Sequence, residues 1–146
     1  MEASRRWRVA GRWGALVTQG RLVNVPARGT LAAASVSHAV VAEAQTAYLA
    51  GHNTWGQLGQ GRTSVWGTAR IALPDRIVSA AAGLGFTCLA TSDALYVSGT
   101  NVRGQMGLDQ ERGSLSFQRL ALPAVRSVCA GLDHMLVLAG AQVWAC

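Results

Sequence analysis

The chain has 146 residues, of which half are hydrophobic and only 14% are charged, so it is one folded domain or part of a repetitive one and not a disordered chain. Thirteen arginines, no lysine and seven acidic residues give a net charge of +6. The lack of lysine excludes Schiff-base catalysis and the Gly-Lys-Ser/Thr phosphate loop. Seventeen glycines against three prolines favour turn-rich β structure over long helices.

Residues 1–30 are predicted to be an arginine-rich leader that runs into the first strands. This segment contains six arginines and a single acidic residue, Glu2. Three interpretations stay open: a solvated leader, a mitochondrial targeting segment, and a basic arm that contacts phosphate or an acidic partner. Three cysteines without a CxxC pair fit a reducing compartment. We therefore expect an intracellular protein of the cytoplasm or nucleus, with the mitochondrion as the alternative.

Strand-length apolar runs alternate with turns in the middle of the chain. Residues 77–82 and 86–91 are predicted strands, Ser92-Asp93 turns the chain, and residues 94–98 return it as a hairpin. The glycine-rich segment from Gly99 to Gly107 is predicted to be a structured loop, and the β pattern resumes over 120–128. The longest apolar stretch, 77–91, is short for a bilayer span and contains two glycines, so we expect no membrane association.

The chain repeats itself with a period of 48 to 49 residues. Residues 51–59 (GHNTWGQLG) align with 99–107 (GTNVRGQMG) and share the pattern G-x-N-x-x-G-Q-[LM]-G. His38, Phe86 and His134 are 48 residues apart, as are Tyr48, Tyr96 and Trp144. A unit this short cannot bury both faces of its sheet, so neighbouring copies are expected to stack. Strand-only repeats of this length favour a β-propeller blade.

The motif resembles the regulator of chromosome condensation repeat. Besides the glycine-rich segment, 125–134 (VRSVCAGLDH) is similar to the V-x-x-[AC]-G-x-x-H element that precedes it in that family. The matching positions are predicted to have a structural role: Gly51, Asn53, Gly56, Gln57, Gly59, Gly99, Asn101, Gly104, Gln105, Gly107, Gly83, Gly131 and His134.

The resemblance implies a seven-bladed β-propeller with four-stranded blades. We therefore predict an all-β fold in which residues 31–146 form about three blades of an incomplete ring. We expect the chain to be a fragment or truncated form of a longer protein. The alternative is that further copies, or another chain, complete the ring.

No catalytic, metal or cofactor site is predicted. His38 and His134 share one repeat position, which points to a packing role, and His52 has no evident partner that would make it a base. Cys88 and Cys129 fall in apolar strand context and are expected to be buried. No set of His or Cys has the spacing of a zinc site.

The candidate partner-binding residues are Trp55 and Arg103, which precede the Gly-Gln pair in the two motif copies. Tryptophan and arginine are the residue types most enriched at interface hot spots. We predict a non-enzymatic module that binds a protein partner. The alternative, implied by the resemblance alone, is a guanine nucleotide exchange factor for a Ran-like small GTPase that associates with chromatin. Direct nucleic-acid binding through the N-terminal arm also stays open.

Overall fold

The computed structural model describes residues 31–146, and the leader predicted for residues 1–30 lies outside them. The described residues form eleven β-strands and no helix. Blade 1 contains β1 (Leu31–Ala34), β2 (His38–Glu43), β3 (Thr46–Asn53) and β4 (Ser64–Ala72). Blade 2 contains β5 (Ser79–Ala82), β6 (Phe86–Ala90), β7 (Ala94–Gly99) and β8 (Ser114–Ala121), and blade 3 contains β9 (Val125–Ala130), β10 (Met135–Ala139) and β11 (Gln142–Ala145).

Each blade is an antiparallel meander whose strands lie side by side in chain order. The sheets have four, four and three strands within the described residues, which confirms the all-β, repeat-built prediction. One local difference concerns the first motif copy, whose residues 51–53 belong to β3 and not to a loop. A bulge between Gly51 and Asn53 lets the strand continue to a last pairing of Asn53 with Ser64.

The blades stack face to face, so the core lies in two layers between neighbouring sheets. Val40 and Leu49 of blade 1 pack with Leu89 of blade 2 in the first layer. Cys88 of blade 2 packs with Val137 of blade 3 in the second layer. Since side chains alternate along a strand, neighbouring residues of β6 serve different layers, and every residue of this strand is buried.

The cysteines differ in burial, and the prediction for Cys129 is wrong. Cys88 is fully buried, and burial raises the pKa of its thiol above the ordinary value. Cys129 is exposed. It lies 48 residues after Ala81 and therefore has the same position in its blade. Ala81 packs in the layer between blades 2 and 3, on the side of blade 2 that faces the next blade. Cys129 therefore points to the side of blade 3 that faces away from blade 2.

The antiparallel order gives the stack two ends. We call one the loop face; it carries the turns between the first and second strands (35–37, 83–85, 131–134) and the long loops after the third strands (54–63, 100–113). We call the other the turn face; it carries the segments 44–45, 73–78, 91–93, 122–124 and 140–141. The glycine-rich motif copies and both candidate binding residues lie at the loop face.

Candidate functional site

The two glycine-rich motif copies at the loop face have matching backbone hydrogen bonds in their turns. All six motif glycines have a positive φ: Gly51, Gly56, Gly59, Gly99, Gly104 and Gly107. Gly99 also lies against the backbone of the preceding turn, because a Cβ there would be 2.1 Å from the Gly85 carbonyl oxygen. A side chain at Gly99 would therefore meet both an unfavourable φ and a clash.

The motif asparagines hold these loops from inside. Asn101 is buried; its Oδ1 accepts from the Met106 amide at 2.8 Å, and its Nδ2 donates to the carbonyls of Leu108 and Gln110 at 2.9 and 2.8 Å. Asn53 does the same in blade 1, where its Oδ1 accepts from the Leu58 amide at 3.0 Å. A buried side-chain amide with both groups bonded fixes the path of a loop that has no strand ladder.

The motif glutamines position the residues that precede the Gly-Gln pair. Gln57 Oε1 accepts from the Trp55 amide at 3.1 Å, and Gln105 Oε1 accepts from the Arg103 amide at 2.9 Å. Both glutamines are buried, whereas Trp55 is 48% exposed and the Arg103 side chain is 70% exposed. The motif therefore presents its variable residue on the surface.

Trp55 and Arg103 each contact the following blade at one equivalent position. The Trp55 indole lies against Gly85 of blade 2, where an added Cβ would be 2.6 Å from its Cε3. The Arg103 Nε is 3.6 Å from Asp133 Oδ2 of blade 3. Both contacts join residues 30 positions apart, since Gly85 and Asp133 share a repeat position. A large ring thus lies over a glycine, and a guanidinium lies beside a carboxylate.

Hydrogen bonds between blades run just beneath this surface. The Thr87 hydroxyl of blade 2 donates to the Gln57 carbonyl of blade 1 at 2.7 Å, and the Ser98 hydroxyl donates to the Gly56 carbonyl at 2.7 Å. The Leu84 amide of blade 2 donates to the Leu132 carbonyl of blade 3 at 3.0 Å. These bonds tie the motif loops to the neighbouring sheet.

His38 is a buried link between blades 1 and 2. Thr87 Oγ1 donates its one proton to the Gln57 carbonyl. His38 Nε2 lies 2.6 Å from Thr87 Oγ1, so the imidazole nitrogen is the donor and Oγ1 is the acceptor of that bond. His38 Nδ1 then accepts from the Ser37 hydroxyl at 2.8 Å. Burial, and to a smaller extent the charge of His52, lowers the pKa of His38 to about 4. The imidazole is therefore neutral near pH 7.

The other predicted motif positions form ring-on-glycine contacts. A Cβ added at Gly83 would be 1.9 Å from Phe86 Cε1, and one added at Gly131 would be 2.1 Å from His134 Cε1. Phe86 is buried, whereas His134 is exposed. The missing side chain of each glycine thus leaves the space that an aromatic ring occupies at the start of the second strand.

The loop face also collects exposed apolar side chains. Val36 is 64% exposed in the first turn, Leu132 is 57% exposed in the third, and Val102 is 69% exposed in the second long loop. Together with Trp55 they form what we call the apolar row. Apart from Leu136, Leu138, Val143 and Trp144 of blade 3, every large hydrophobic residue that is exposed in the described chain lies at the loop end of its blade.

Within residues 31–146, no group of three or more His, Cys, Asp or Glu side chains is arranged to hold a metal ion. None of these residues forms a helix long and apolar enough to cross a bilayer.

Three features of the site were not found from the sequence. Thr87 and Gly85 were not singled out, and the apolar row was missed apart from Trp55. The sequence did contain a signal for the apolar row. An aliphatic residue occurs every 48 residues in the turn between the first and second strands of each blade: Val36, Leu84 and Leu132. A regularly repeated apolar residue inside a turn indicates a surface role.

No protein-family model matches the chain, and no curated protein sequence matches it. The structure is similar to the crystal structure of human WBSCR16, with a TM-score of 0.71 and 20% identity, over 86% of this chain and 37% of that one. It is also similar to yeast RCC1 (Prp20) in its crystal structure with Kap60, with a TM-score of 0.70 and 20% identity, over 86% of this chain and 33% of that one.

Likeness at this identity shows the fold. The described residues have the β-propeller blade fold of these two proteins. The chain covers only about a third of the length of either similar protein. A fold by itself accommodates many activities.

Proposed function

We propose that the chain is a non-enzymatic interaction module that binds a protein partner through its loop face. The observation that carries the proposal is the apolar row, Val36, Trp55, Val102 and Leu132, which lies on one face of successive blades. Exposed apolar side chains that collect at one end of a fold are typical of protein-binding surfaces.

The geometry around the apolar row also supports a protein partner. Gln57 and Gln105 accept from the backbone amides of Trp55 and Arg103, so the backbone of both residues is already in place before a partner binds. Asp133 forms an ion pair with Arg103, with 3.6 Å between Asp133 Oδ2 and Arg103 Nε, and leaves the arginine side chain largely exposed. Tryptophan and arginine are among the residue types most enriched at interface hot spots.

The similar yeast protein was crystallised with a protein partner, Kap60, which is consistent with a propeller of this kind serving as a docking surface. Nucleotide exchange on a small GTPase, with association to chromatin, is the second candidate. It rests on the resemblance of the repeats.

The proposal is tested by photo-crosslinking from the two ends of blade 2. A photoreactive amino acid replaces Val102 on the loop face in one variant and Ser92 on the turn face in the other; both positions are exposed. We expect a discrete crosslinked protein from position 102 alone, and we expect Trp55→Ala in the same background to remove it. Equal labelling from both positions, or a product indifferent to Trp55, would overturn the proposal.

The second candidate is distinguished by nucleotide release. The purified chain is mixed with a Ran-like GTPase that carries a labelled nucleotide, and we expect the release rate to stay at its basal value. Release that the wild-type chain accelerates, and that Trp55→Ala or Arg103→Ala abolishes, would replace the interaction-module proposal with exchange activity.

A further inference from the structure

The backbone that follows Trp55 is bonded by two hydroxyl groups of the next blade. Ser98 Oγ donates to the Gly56 carbonyl and Thr87 Oγ1 donates to the Gln57 carbonyl, each at 2.7 Å. Both hydroxyl-bearing residues are fully buried, and hydrogen bonds that are shielded from water are stronger than exposed ones. Two consecutive carbonyls of the blade-1 loop are therefore held by blade 2.

The Trp55 indole also lies against blade 2. A Cβ added at Gly85 would be 2.6 Å from Trp55 Cε3 and 3.0 Å from Thr100 Cγ2, so a glycine at this position leaves the ring its place. The Gly85 carbonyl accepts from the Thr100 amide at 2.9 Å, which fixes Gly85 to the long loop of its own blade. The indole thus has a fixed support on one side, while Trp55 as a whole is 48% exposed.

Gln57 joins these contacts to the backbone of Trp55. Its side-chain Oε1 accepts from the Trp55 amide at 3.1 Å, and its carbonyl accepts from Thr87. The Thr87 oxygen in turn accepts from His38 Nε2 at 2.6 Å, so its proton is directed to the Gln57 carbonyl. Any displacement of Thr87 therefore acts on Gln57 and, through it, on the amide of Trp55.

In the described part of the chain, the second motif loop lacks a matching pair of hydroxyl donors. The residues of blade 3 that correspond to Thr87 and Ser98 are Met135 and Cys146. A methionine side chain has no donor, and a thiol is a weak one; Cys146 Sγ is 3.6 Å from the Gln105 carbonyl oxygen. The pair of hydroxyl bonds thus belongs to the boundary that carries the tryptophan.

We propose that Gly85, Thr87 and Ser98 of blade 2 are positioning residues for Trp55, so that this binding residue is set in place by two blades together. The inference rests on the proposed function of the loop face. Thr87 and Ser98 hold the backbone next to Trp55, and Gly85 determines where its ring lies. A partner then meets the indole in one orientation, which lowers the conformational cost of binding.

The first measurement is hydrogen exchange of the Trp55 amide, followed by NMR in the purified 146-residue chain. Thr87→Val and Ser98→Ala each remove one hydroxyl, and we expect each to make this amide exchange about 5- to 10-fold faster. Thr87→Ser keeps a hydroxyl and should restore the wild-type rate. The matched control is Ser127→Ala, which removes an exposed hydroxyl of blade 3.

The Arg103 amide is the internal reference, because its bond to Gln105 lies in the other motif loop. A general loss of stability would accelerate the exchange of both amides, whereas a positioning role accelerates that of the Trp55 amide alone. Equal acceleration of both amides, or a Trp55 rate that neither variant changes, would contradict the role of the two hydroxyls.

The second measurement concerns the ring. Gly85→Ala removes no hydrogen-bonding group, but its new Cβ would take the place of the indole, so the ring is displaced while Trp55 stays in the chain. We expect a shift of the Trp55 indole N–H signal in the NMR spectrum, assigned with Trp55→Phe. Gly67→Ala is the control, since its Cβ would be no closer than 3.4 Å to any neighbour. An unshifted signal in Gly85→Ala would show that Gly85 does not set the ring.

The third measurement connects positioning with binding. With the photoreactive amino acid at position 102, we expect the yield of the Trp55-dependent product to fall about fivefold in Gly85→Ala and in Ser98→Ala. The yield should stay at the wild-type level in Gly67→Ala and Ser127→Ala. Full yield in a variant whose indole or amide has been released would overturn the proposal.

Failure of the proposed function gives a different result. A wild-type chain that yields no Trp55-dependent product would contradict partner binding at the loop face. The exchange rate and the indole signal need no partner, so they would still decide whether blade 2 positions Trp55. If Thr87→Val does not fold, Ser98→Ala and Gly85→Ala carry the test.

Discussion

His38, Phe86 and His134 occupy one repeat position, and the structure gives each a different environment. His38 is buried and donates to Thr87. Phe86 is buried against Gly83, whereas His134 is exposed and lies against Gly131. Ser37 completes the hydrogen bonding of the His38 ring. The role of this position thus depends on the polar groups within reach and on which blade covers the ring.

The buried imidazole predicts acid-sensitive stability. The pKa of His38 is about 4 in the folded chain and about 6.5 when the imidazole is free. Between these values the unfolded chain binds a proton that the folded chain does not, so the stability present above pH 6.5 falls as the pH drops towards 4. A separation of this size corresponds to a free energy of the order of 3 kcal/mol. Urea unfolding at a series of pH values measures it.

Variants at the two related histidines isolate this contribution. His38→Phe, which installs the residue found at this position in blade 2, should flatten the pH dependence between 6.5 and 4. His134→Phe is the control and should keep the wild-type dependence, because His38 is still in place. If both variants titrate alike, the acid sensitivity comes from another group.

A second residue-scale prediction concerns the ring-on-glycine contact. In Gly83→Ala the new Cβ would have to displace the Phe86 ring from the core, and we expect a loss of about 1–3 kcal/mol in the free energy of unfolding. Gly67→Ala is the control, since its Cβ would be no closer than 3.4 Å to any neighbour. Chemical denaturation compares the two; equal stabilities would mean that the ring moves without cost.

The long loops are the elements in which the motif has its clearest physical meaning. Their glycines supply the positive φ values, their asparagines satisfy buried backbone groups, and their glutamines hold the exposed residue. Trp55 and Arg103 differ because they contact different partners in the next blade, Gly85 and Asp133. The glycines, asparagine and glutamine of the loop are therefore the same in both blades, whereas the exposed residue and its contact with the next blade differ.

At this scale we predict that Asn101→Ala loosens the second loop. The change removes three hydrogen bonds and leaves the buried Met106 amide without its acceptor. Since each such bond contributes about 1 kcal/mol net, we expect a loss of about 2–3 kcal/mol. The Met106 amide should also exchange with solvent much faster.

Hydrogen exchange followed by NMR measures this effect, with Val102→Ala as the control in the same loop. Val102 is exposed, so its truncation should leave both stability and exchange unchanged. Unaltered protection of the Met106 amide in Asn101→Ala would show that the glycines alone set the loop.

The whole molecule holds together through contacts between successive blades, and Thr87 lies at the centre of one of them. It accepts from His38 and donates to the Gln57 carbonyl, both in blade 1. Thr87→Val keeps the shape and leaves both partners unsatisfied and buried. We expect a loss of about 2–4 kcal/mol. Thermal and urea unfolding should show it.

Thr68→Val is the control for this change, because Thr68 is exposed on β4. The double variant His38→Phe/Thr87→Val should cost less than the sum of the single changes, since one partner of the bond is already gone. Strict additivity would mean that His38 and Thr87 are not coupled.

The strands and turns were largely predictable from the sequence, because each repeat shows the same pattern of apolar residues, glycines and turn residues. The hairpin of β6 and β7, with its turn at Ser92-Asp93, appears where the apolar runs predicted it. The exposure of Cys129 was predicted wrongly, because an apolar strand pattern does not say which side another blade covers. The contact of Trp55 with Gly85 was not predicted either, because it joins two blades.

The sequence by itself determined the repeat, the order of the strands and the composition of the loops. These follow from side-chain alternation, glycine conformations and turn residues, all of which act within one repeat of about 48 residues. Only the tertiary structure decided which copy of each position is buried. Cys88 lies in the core while its counterpart Leu136 is exposed, because blade 3 covers Cys88 and no described blade covers Leu136.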